Sequence, residues 1–453
     1  METINQYIEK NKQRFIDELF KFIELPSVSS KKDNKDIMYK TAAHVADSLL
    51  KAGADKAEIH DTDGWPVVFG QKIVNEKLPT VLVYGHYDVQ PAEPLELWES
   101  PPFKPEIRNE KIYARGADDD KGQLFMHVKA FEYMVSENKL PCNIKFLIEG
   151  EEEVGSSSLE SFCVKNKEIL KADVILVSDT SMLSLSNPSI TTGLRGLAYF
   201  EVELTGQNRD LHSGLYGGSV KNPCMVLCSI IDKLIDQNGV ITIPGFYDDI
   251  LKLSAEERKQ LNAAPFSEKD FFNSIGLKEG FGEKDYSVIE RLGARPTCDV
   301  NGIWGGHTAE GAKTVLPAKA FAKISMRLVP NQTPARVVEQ FKTYLNKIIP
   351  DGFTIKVEYL HGGTPYLLPF ESKELDAAKK AIQKTFGKIP FPVRSGGSIP
   401  VISTFEKVLG IKSVLLGFGL ETDAIHAPNE NYPLANFYKG IETIPWFYHY
   451  YAF

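Results

Sequence analysis

The sequence predicts an α/β protein: a mainly parallel sheet flanked by helices, with an inserted α+β domain. Three observations support this class. Short, continuously apolar runs alternate with amphipathic helical patterns in the first third of the chain. The C-terminal part returns to the same alternation. The middle instead contains runs in which apolar and polar residues alternate, a pattern typical of half-exposed strands.

The first third begins with helical patterns. Residues 4–24 repeat apolar positions at helical spacing, and residues 39–52 do so again. Further helices are predicted near 122–137 and 157–170. Buried strands lie between and after these helices, and we predict them at Thr80–Tyr84 (TVLVY), Asn143–Ile148 (NIKFLI) and Val174–Ser178 (VILVS).

The remaining elements divide the chain into two predicted domains. The C-terminal part shows helices near 372–386 and 401–408, a strand at Ser413–Phe418 and a final helix after Pro433. The middle shows alternating strands and helices, namely strands at Leu197–Thr205, Ala320–Val329 and Phe353–Tyr359, helices at 220–237 and 333–348, and surface helices within 254–290. A chain of 453 residues exceeds one typical domain. We therefore predict one domain made of 1–194 and 363–453, and an inserted domain at 195–362.

Composition excludes several classes of protein. With 52 Lys and Arg against 60 Asp and Glu, the net charge of −8 argues against a nucleic-acid partner. No run approaches the roughly 18–20 apolar residues of a membrane span, so we expect no membrane partner. The N-terminus lacks a secretory signal pattern, which favours the cytoplasm. Five scattered cysteines without CxxC indicate no disulfide framework, and we expect Cys224 and Cys228 to pack in the core.

Acidic residues and histidines follow the predicted strands directly. Because ligands of open α/β sheets bind beyond the carboxyl ends of strands, these side chains should converge on one crevice. Two further polar segments open a helix and follow the last strand. The five segments are Gly85–Asp88, Glu149–Ser156, Asp179–Thr180, Arg115–Gly122 and Ile425–Glu430.

Each segment also has a simpler interpretation. A lone His-x-Asp is often a structural hydrogen bond, EGEEE resembles a solvated helix start, and ADDDKG could be a helix N-cap. The combination is harder to explain this way. Three acidic clusters at the ends of apolar strands would repel one another unless a cation neutralised them. The sequence therefore predicts a metal site.

Eight segments occur in the order and spacing of a known family. They are GHYDVQP, RGADDDKG, EGEEEVGS, SDT, DLHSGLYGG, RLVPN, GGSIP and HAPNE. The chain resembles the co-catalytic zinc metallopeptidases that include aminoacylase, carboxypeptidase G, succinyl-diaminopimelate desuccinylase and the cytosolic carnosinase-like dipeptidases. The segments HYDVQP, DLHSGLYGG and GGSIP are most similar to the carnosinase-like dipeptidase branch. The resemblance extends over nearly the whole chain.

The resemblance implies two divalent metal ions per chain. Asp119 would bridge them, His86 and Asp179 would complete the protein ligands of one ion, and Glu153 and His426 those of the other. Three protein ligands per ion leave a position for water, as catalytic sites require. Imidazole and carboxylate ligands suit zinc, the expected metal, and also fit manganese or cobalt.

The resemblance also implies the residues that move protons. Glu152 matches the family's general base, which would act on a metal-bridging water, and Val154–Ser156 selects it over Glu151. Asp88 would hold the His86 imidazole in the right tautomer. Of the three aspartates in the ADDDKG run, Asp119 rather than Asp118 would be the bridge, because Asp120-Lys121-Gly122 follows it as in the family.

Five further residues match positions that contact substrate. His212 resembles the histidine that donates to the developing oxyanion. Thr314 and Arg327 resemble lid residues that hold the terminal carboxylate of a peptide, a task suited to the guanidinium fork. Ser398 and His361 are expected to approach the same site. Without the resemblance, Arg327 would be an ordinary edge-strand charge, and His212 a surface-loop histidine.

The resemblance implies a cytosolic metallodipeptidase that cleaves small peptides with broad side-chain tolerance. It also implies a homodimer through the inserted lid domain. A deacylase of N-acyl amino acids, of the acetylornithine or succinyl-diaminopimelate type, is the alternative. A non-catalytic binding protein is a third possibility, which the general base Glu152 argues against, because a scaffold needs no base.

Overall fold

The computed structural model describes residues 3–453, which form two units. Unit 1 runs to Thr192 and also contains Leu368–Val393 and Val401–Phe453. Unit 2 comprises Gly193–Leu367 and Arg394–Pro400. The short second segment of unit 2 lies outside the range 195–362 predicted for the inserted domain.

A mixed sheet forms the centre of unit 1. Its order is β1-β2-β6-β3-β7-β18-β9, with β17 paired to β9. The pairs β6–β3, β3–β7 and β7–β18 are parallel, whereas the outer pairs are antiparallel. The α/β class is thus confirmed, with parallel pairing confined to the centre. The strands are β1 (Lys56–His60), β2 (Val67–Lys72), β3 (Thr80–His86), β6 (Asn143–Glu149), β7 (Val174–Val177), β9 (Ser189–Leu194), β17 (Phe391–Ser395) and β18 (Ser413–Leu415); the last two residues of β9 and of β17 belong to unit 2.

Burial explains which of these strands were predicted. All residues of β6 and β7 are buried, and so are all but the first of β3. Strands covered on both faces read as continuous apolar runs, which is the pattern that predicted them. Strand β1 (KAEIH) instead has no buried residue, so its sequence carried no such run.

Helices cover this sheet. No helix within residues 3–453 has both the length and the apolar character of a membrane span. Helix α1 begins with a capping box between Thr3 and Gln6. Helix α3 is buried along most of its length and contacts both α1 and α14. The helices of unit 1 are α1 (Ile4–Ile23), α2 (Lys35–Lys51), α3 (Lys121–Ser136), α4 (Leu159–Lys165), α5 (Lys167–Leu170), α12 (Lys373–Phe386), α13 (Pro400–Leu409, with Pro400 in unit 2) and α14 (Leu434–Ala452).

Two small sheets connect the loops of unit 1. One has the order β20-β5-β4, and the other pairs β19 with β8. They join segments that are hundreds of residues apart in the chain. The strands are β4 (Glu106–Arg108), β5 (Lys111–Tyr113), β8 (Ser181–Met182), β19 (Gly419–Leu420) and β20 (Asn431–Pro433).

Unit 2 is built on a four-stranded antiparallel sheet of order β12-β14-β10-β15. Alternate residues of β10 are buried, as the alternating sequence predicted. Phe200, Ile324 and Met326 form its core with Leu227 and Phe341 from two helices. The strands of unit 2 are β10 (Gly196–Thr205), β11 (Leu211–His212), β12 (Thr297–Gly305), β13 (Val315–Leu316), β14 (Lys319–Leu328), β15 (Thr354–Gly363) and β16 (Tyr366–Leu367).

One helix of unit 2 is shorter than predicted, whereas the helix expected at 333–348 spans Pro334–Ile348. The helix expected at 220–237 spans Pro223–Asp232, starting at the Asn222 cap. Cys224 on it is half-buried and packs against the core, whereas Cys228 is exposed, so the expected core packing is wrong for Cys228. The unit 2 helices are α6 (Ser213–Tyr216), α7 (Pro223–Asp232), α8 (Ala255–Leu261), α9 (Glu268–Ser274), α10 (Val288–Gly293) and α11 (Pro334–Ile348).

Candidate metal centre

The parallel strands of unit 1 deliver polar side chains to one edge of the sheet. His86 is the last residue of β3 and pairs in register with Glu149, the last residue of β6. Asp179 follows β7 by two residues. Because the carboxyl ends of parallel strands meet at one edge, these groups lie near one another. His86 is fully buried there.

The carboxylate of Asp119 lies between two imidazoles. Its Oδ1 is 3.1 Å from Nε2 of His86, and its Oδ2 is 2.9 Å from Nε2 of His426. Each oxygen of one carboxylate therefore faces a different histidine. The hydrogen bonds from His426 and His86 hold the pKa of Asp119 below its usual range, although burial acts in the opposite direction.

Two more carboxylates complete the cluster. Oδ2 of Asp179 is 3.9 Å from Nε2 of His86, and Oε2 of Glu153 is 3.2 Å from Nε2 of His426. The side chains form two groups of three, and within each group the ligand atoms lie within 4.8 Å of one another. Asp119 belongs to both groups.

The donor set fits a pair of divalent cations. It consists of imidazole nitrogens and carboxylate oxygens, which zinc and manganese both accept. Burial raises the pKa of Asp179 to about 7, and the nearby Asp119 and Glu153 carboxylates act in the same direction. Cations at this point would offset that repulsion and allow all three carboxylates to ionise.

Glu430 organises the loop that carries Asp119. One of its carboxylate oxygens accepts from Nη1 of Arg115 at 2.7 Å and from the Gly116 amide at 2.9 Å. The other accepts from the amides of Asp118 and Asp119 at 3.0 and 3.1 Å. The sequence placed Glu430 in a quoted motif, HAPNE, without assigning it this role. No local pattern reveals a bond across 311 positions.

The His426 loop adopts uncommon backbone conformations. Ala424, His426 and Asn429 all have positive φ, between 55° and 64°. Such values are uncommon for residues with a Cβ and concentrate at functional sites. Pairing of β20 with β5 and of β19 with β8 ties this loop to the segments that carry Asp119 and Asp179.

Asp88 connects His86 to the turn that contains the two adjacent glutamates. Nδ1 of His86 lies 3.1 Å from the Asp88 carbonyl oxygen and 3.3 Å from its Oδ1. The Asp88 carboxylate also accepts from the backbone amides of Glu152 and Glu153, at 3.2 and 3.1 Å. It therefore satisfies the first two backbone amides of the 3₁₀ turn at Glu152–Val154.

The three consecutive glutamates have different surroundings. Oε2 of Glu151 accepts from the Ser158 amide at 3.1 Å, a contact within its own loop. Burial raises the pKa of Glu152 well above its usual range, with contributions from the Asp179, Asp119 and Glu153 charges. Glu152 is thus close enough to the cluster to interact with its charges.

Unit 2 holds the residues expected to contact substrate. Nη1 of Arg327 donates to Oγ of Ser398 at 3.0 Å. Thr314 lies beside His212, because its carbonyl accepts from the Ser213 amide. His361 stacks on Tyr199 in the neighbouring strand, with ring centroids 5.2 Å apart.

Arg327 and His361 share one face of the unit 2 sheet. Arg327 is opposite Leu197 on β10, and His361 is opposite Tyr199, two residues further along the same strand. Directly opposed residues point to the same side of a sheet. The other face carries the core residue Ala198. Both predicted substrate residues are therefore on the face away from the core.

Comparison with known proteins gives the family. The model of Peptidase family M20/M25/M40 matches residues 82–445. Cys-Gly metallodipeptidase dug1 of Schizosaccharomyces pombe is 33% identical over 458 residues, covering 98% of this chain and 96% of the relative. Beta-Ala-His dipeptidase of Homo sapiens is 30% identical over 466 residues, covering 99% of this chain and 92% of the relative.

A solved structure agrees over almost the full length. The M20 family metallo-carboxypeptidase Sso-CP2 from Sulfolobus solfataricus is 36% identical and superposes with a TM-score of 0.85, covering 97% of this chain and 99% of that one. The resemblance inferred from eight motifs is confirmed. A family match over most of the chain, with relatives at this identity and coverage, shows that the chain belongs to peptidase family M20/M25/M40.

Proposed function

We propose that this M20 peptidase is a metal-dependent dipeptidase that cleaves the amide bond of unblocked dipeptides. The observation that carries the proposal is the Asp119 carboxylate, each oxygen of which faces a different imidazole. Relatives of similar length are a Cys-Gly metallodipeptidase and a Beta-Ala-His dipeptidase. Both names favour dipeptides over N-acyl amino acids as substrates.

The two side-chain groups suggest the ligand sets. His86, Asp119 and Asp179 would hold one ion, and Asp119, Glu153 and His426 the other. Three protein ligands for each ion leave room for water or substrate. Two divalent cations sharing a carboxylate, when bound, activate water and polarise the substrate carbonyl. We propose zinc as the metal, with manganese able to replace it.

Glu152 is proposed as the general base. It would take a proton from the attacking water and later deliver it to the leaving nitrogen. Burial raises its pKa above the usual range, so the ionised carboxylate is a stronger base than that of an exposed glutamate. Asp88 supports this role because it holds the Glu152 amide and the His86 imidazole at once.

His212 is proposed to donate to the developing oxyanion. Its Nδ1 accepts from the Gly214 amide at 3.0 Å, so in the neutral ring Nε2 carries the proton. The exposed side chain therefore offers an N–H donor without being charged. Arg327 and Ser398, with Thr314 and His361, are proposed to bind the peptide carboxylate; the Arg327–Ser398 hydrogen bond supports the pairing.

We further propose that the protein is a cytoplasmic homodimer, joined through the inserted domain. In the family that the sequence resembles, the oxyanion histidine reaches the site of the partner subunit. A two-fold dimer would then contain two composite sites, each using residues of both chains.

A metal-removal experiment tests the proposed activity. A chelator should abolish hydrolysis of Ala-Ala and Cys-Gly, because the site depends on its ions, and zinc or manganese should restore it. N-acetyl amino acids, assayed in parallel, should be hydrolysed poorly. Faster cleavage of the N-acetyl compounds would contradict the dipeptidase proposal in favour of a deacylase. Hydrolysis that resists complete metal removal would contradict the metal mechanism.

Complementation tests the composite site. If His212 acts in trans, co-expressing His212→Ala with Glu152→Ala should restore about a quarter of wild-type activity. Random pairing makes about half the dimers mixed, and each mixed dimer has one intact site. Dipeptide hydrolysis is measured alongside gel filtration. A dimeric mixture without recovery, or a fully active monomer, would refute action in trans.

A further inference from the structure

Gln90 makes a set of hydrogen bonds to Glu153 that the proposed mechanism does not use. Its backbone amide donates to Oε1 of Glu153 at 3.1 Å. Its side-chain Nε2 donates to Oε2 of the same carboxylate at 2.8 Å and to the Glu153 carbonyl at 3.3 Å. Both oxygens of the Glu153 carboxylate thus accept a hydrogen bond from one residue.

This contact holds the carboxylate in a single plane and rotamer. Oε2 of Glu153 is the oxygen that lies 3.2 Å from Nε2 of His426, so Gln90 donates to the atom that faces the other ligands. A carboxylate with only one oxygen held could turn about its last bond. Hydrogen bonds to ligand carboxylates orient them and set their basicity.

The backbone amide of Glu153 is held independently of the Gln90 side chain. Asp88 accepts from the Glu153 amide, and the amide of Gln90 remains whatever side chain is present. Removing the Gln90 carboxamide would therefore free Oε2 of Glu153 while leaving the bond to Oε1 and the turn in place. Gln90 is half-buried, which limits the cost of substitution to the fold.

We propose that Gln90 is a positioning residue that selectively strengthens binding of the ion held by Asp119, Glu153 and His426. This inference rests on the proposed dinuclear site. Both side-chain hydrogen bonds of Gln90 end on Glu153, whereas the other proposed ion is held by His86 and Asp179 with the shared Asp119. The effect of losing the carboxamide should therefore fall on one ion of the two.

Gln90→Met tests this, because methionine keeps the length of the side chain and removes its donor. The binding affinity of each of the two ions is measured in two ways: from the metal content after dialysis, and by competition with a coloured chelator. We expect one ion to bind about 10–100-fold more weakly, the effect typical of losing such a contact, and the other to stay within about threefold. Gln90→Asn should behave like Gln90→Met, since its amide is one methylene too short.

Two controls separate positioning from a general structural role. Gln13→Met replaces an exposed glutamine that bonds Asp17 on α1, and should leave both affinities unchanged. Cobalt-substituted protein provides a spectroscopic readout: the visible absorption of one cobalt should change in Gln90→Met. Melting of the chelated proteins should show Gln90→Met close to wild type, because the carboxamide acts on the ligand rather than on the fold.

Three results would overturn the inference. Equal weakening of both ions would show a general effect on the site, and unchanged affinities would show that the contact has no role. A wild-type chain that binds one ion would overturn the dinuclear proposal itself and this inference with it. The wild-type stoichiometry, measured first, therefore distinguishes failure of the proposed function from failure of the Gln90 inference alone.

Discussion

Glu152→Gln is expected to lower kcat for dipeptide hydrolysis by about 10²–10⁴-fold, the usual contribution of general acid–base catalysis. Both metals should remain bound, since Glu152 lies outside the two ligand groups. A carboxamide has nearly the same shape as the carboxylate but cannot accept the proton. Steady-state kinetics, together with elemental analysis of the same preparation, measures both expectations.

Glu151→Gln is the matched control, because its carboxylate bonds the Ser158 amide within its own loop. It should retain most of the turnover and both ions. If Glu152→Gln loses an ion while Glu151→Gln loses the activity, the assignment among the three consecutive glutamates is wrong. The outcome thus decides which glutamate is the base.

Asp119→Ala is expected to lose both ions, because one carboxylate serves both ligand groups. Binding to the folded chain alone stabilises it by RT ln(1 + [L]/Kd), about 2.7 kcal/mol for each ion at a hundredfold excess over Kd. The variant should therefore melt below the metal-loaded wild type. It should also melt close to the chelated wild type. Elemental analysis and thermal melting with and without chelator test this.

Asp118→Asn is the control for the bridge. Asp118 is fully buried, and burial, followed by the Asp423 and Glu430 charges, raises its pKa well above the usual range. A neutral carboxamide of the same size should be tolerated, and both ions should stay bound. Equal loss of metal in Asp118→Asn and Asp119→Ala would refute the choice of Asp119 as the bridge.

Some strands were predictable because burial on both faces leaves a strong local signal. The buried strands β3, β6 and β7 read as continuous apolar runs, and β10 alternates as its half-exposed position requires. Strand β1 was not predicted, because few of its residues are apolar. Its pairing with β2 depends on a tertiary contact. The prediction that Cys228 packs in the core was wrong for the same reason. Helical spacing shows which residues share a face, but not whether another element covers that face.

The sequence by itself determined the α/β class, the family and the residue types that follow each central strand, because these depend on local runs and on motifs in order. Only the tertiary structure decided which oxygen of Asp119 faces which histidine. It also decided that Glu430 holds the Asp119 loop and that Gln90 holds Glu153. Hydrogen bonds between residues 63 to 311 positions apart leave no periodicity in a sequence, since they arise from loop geometry after the strands have paired.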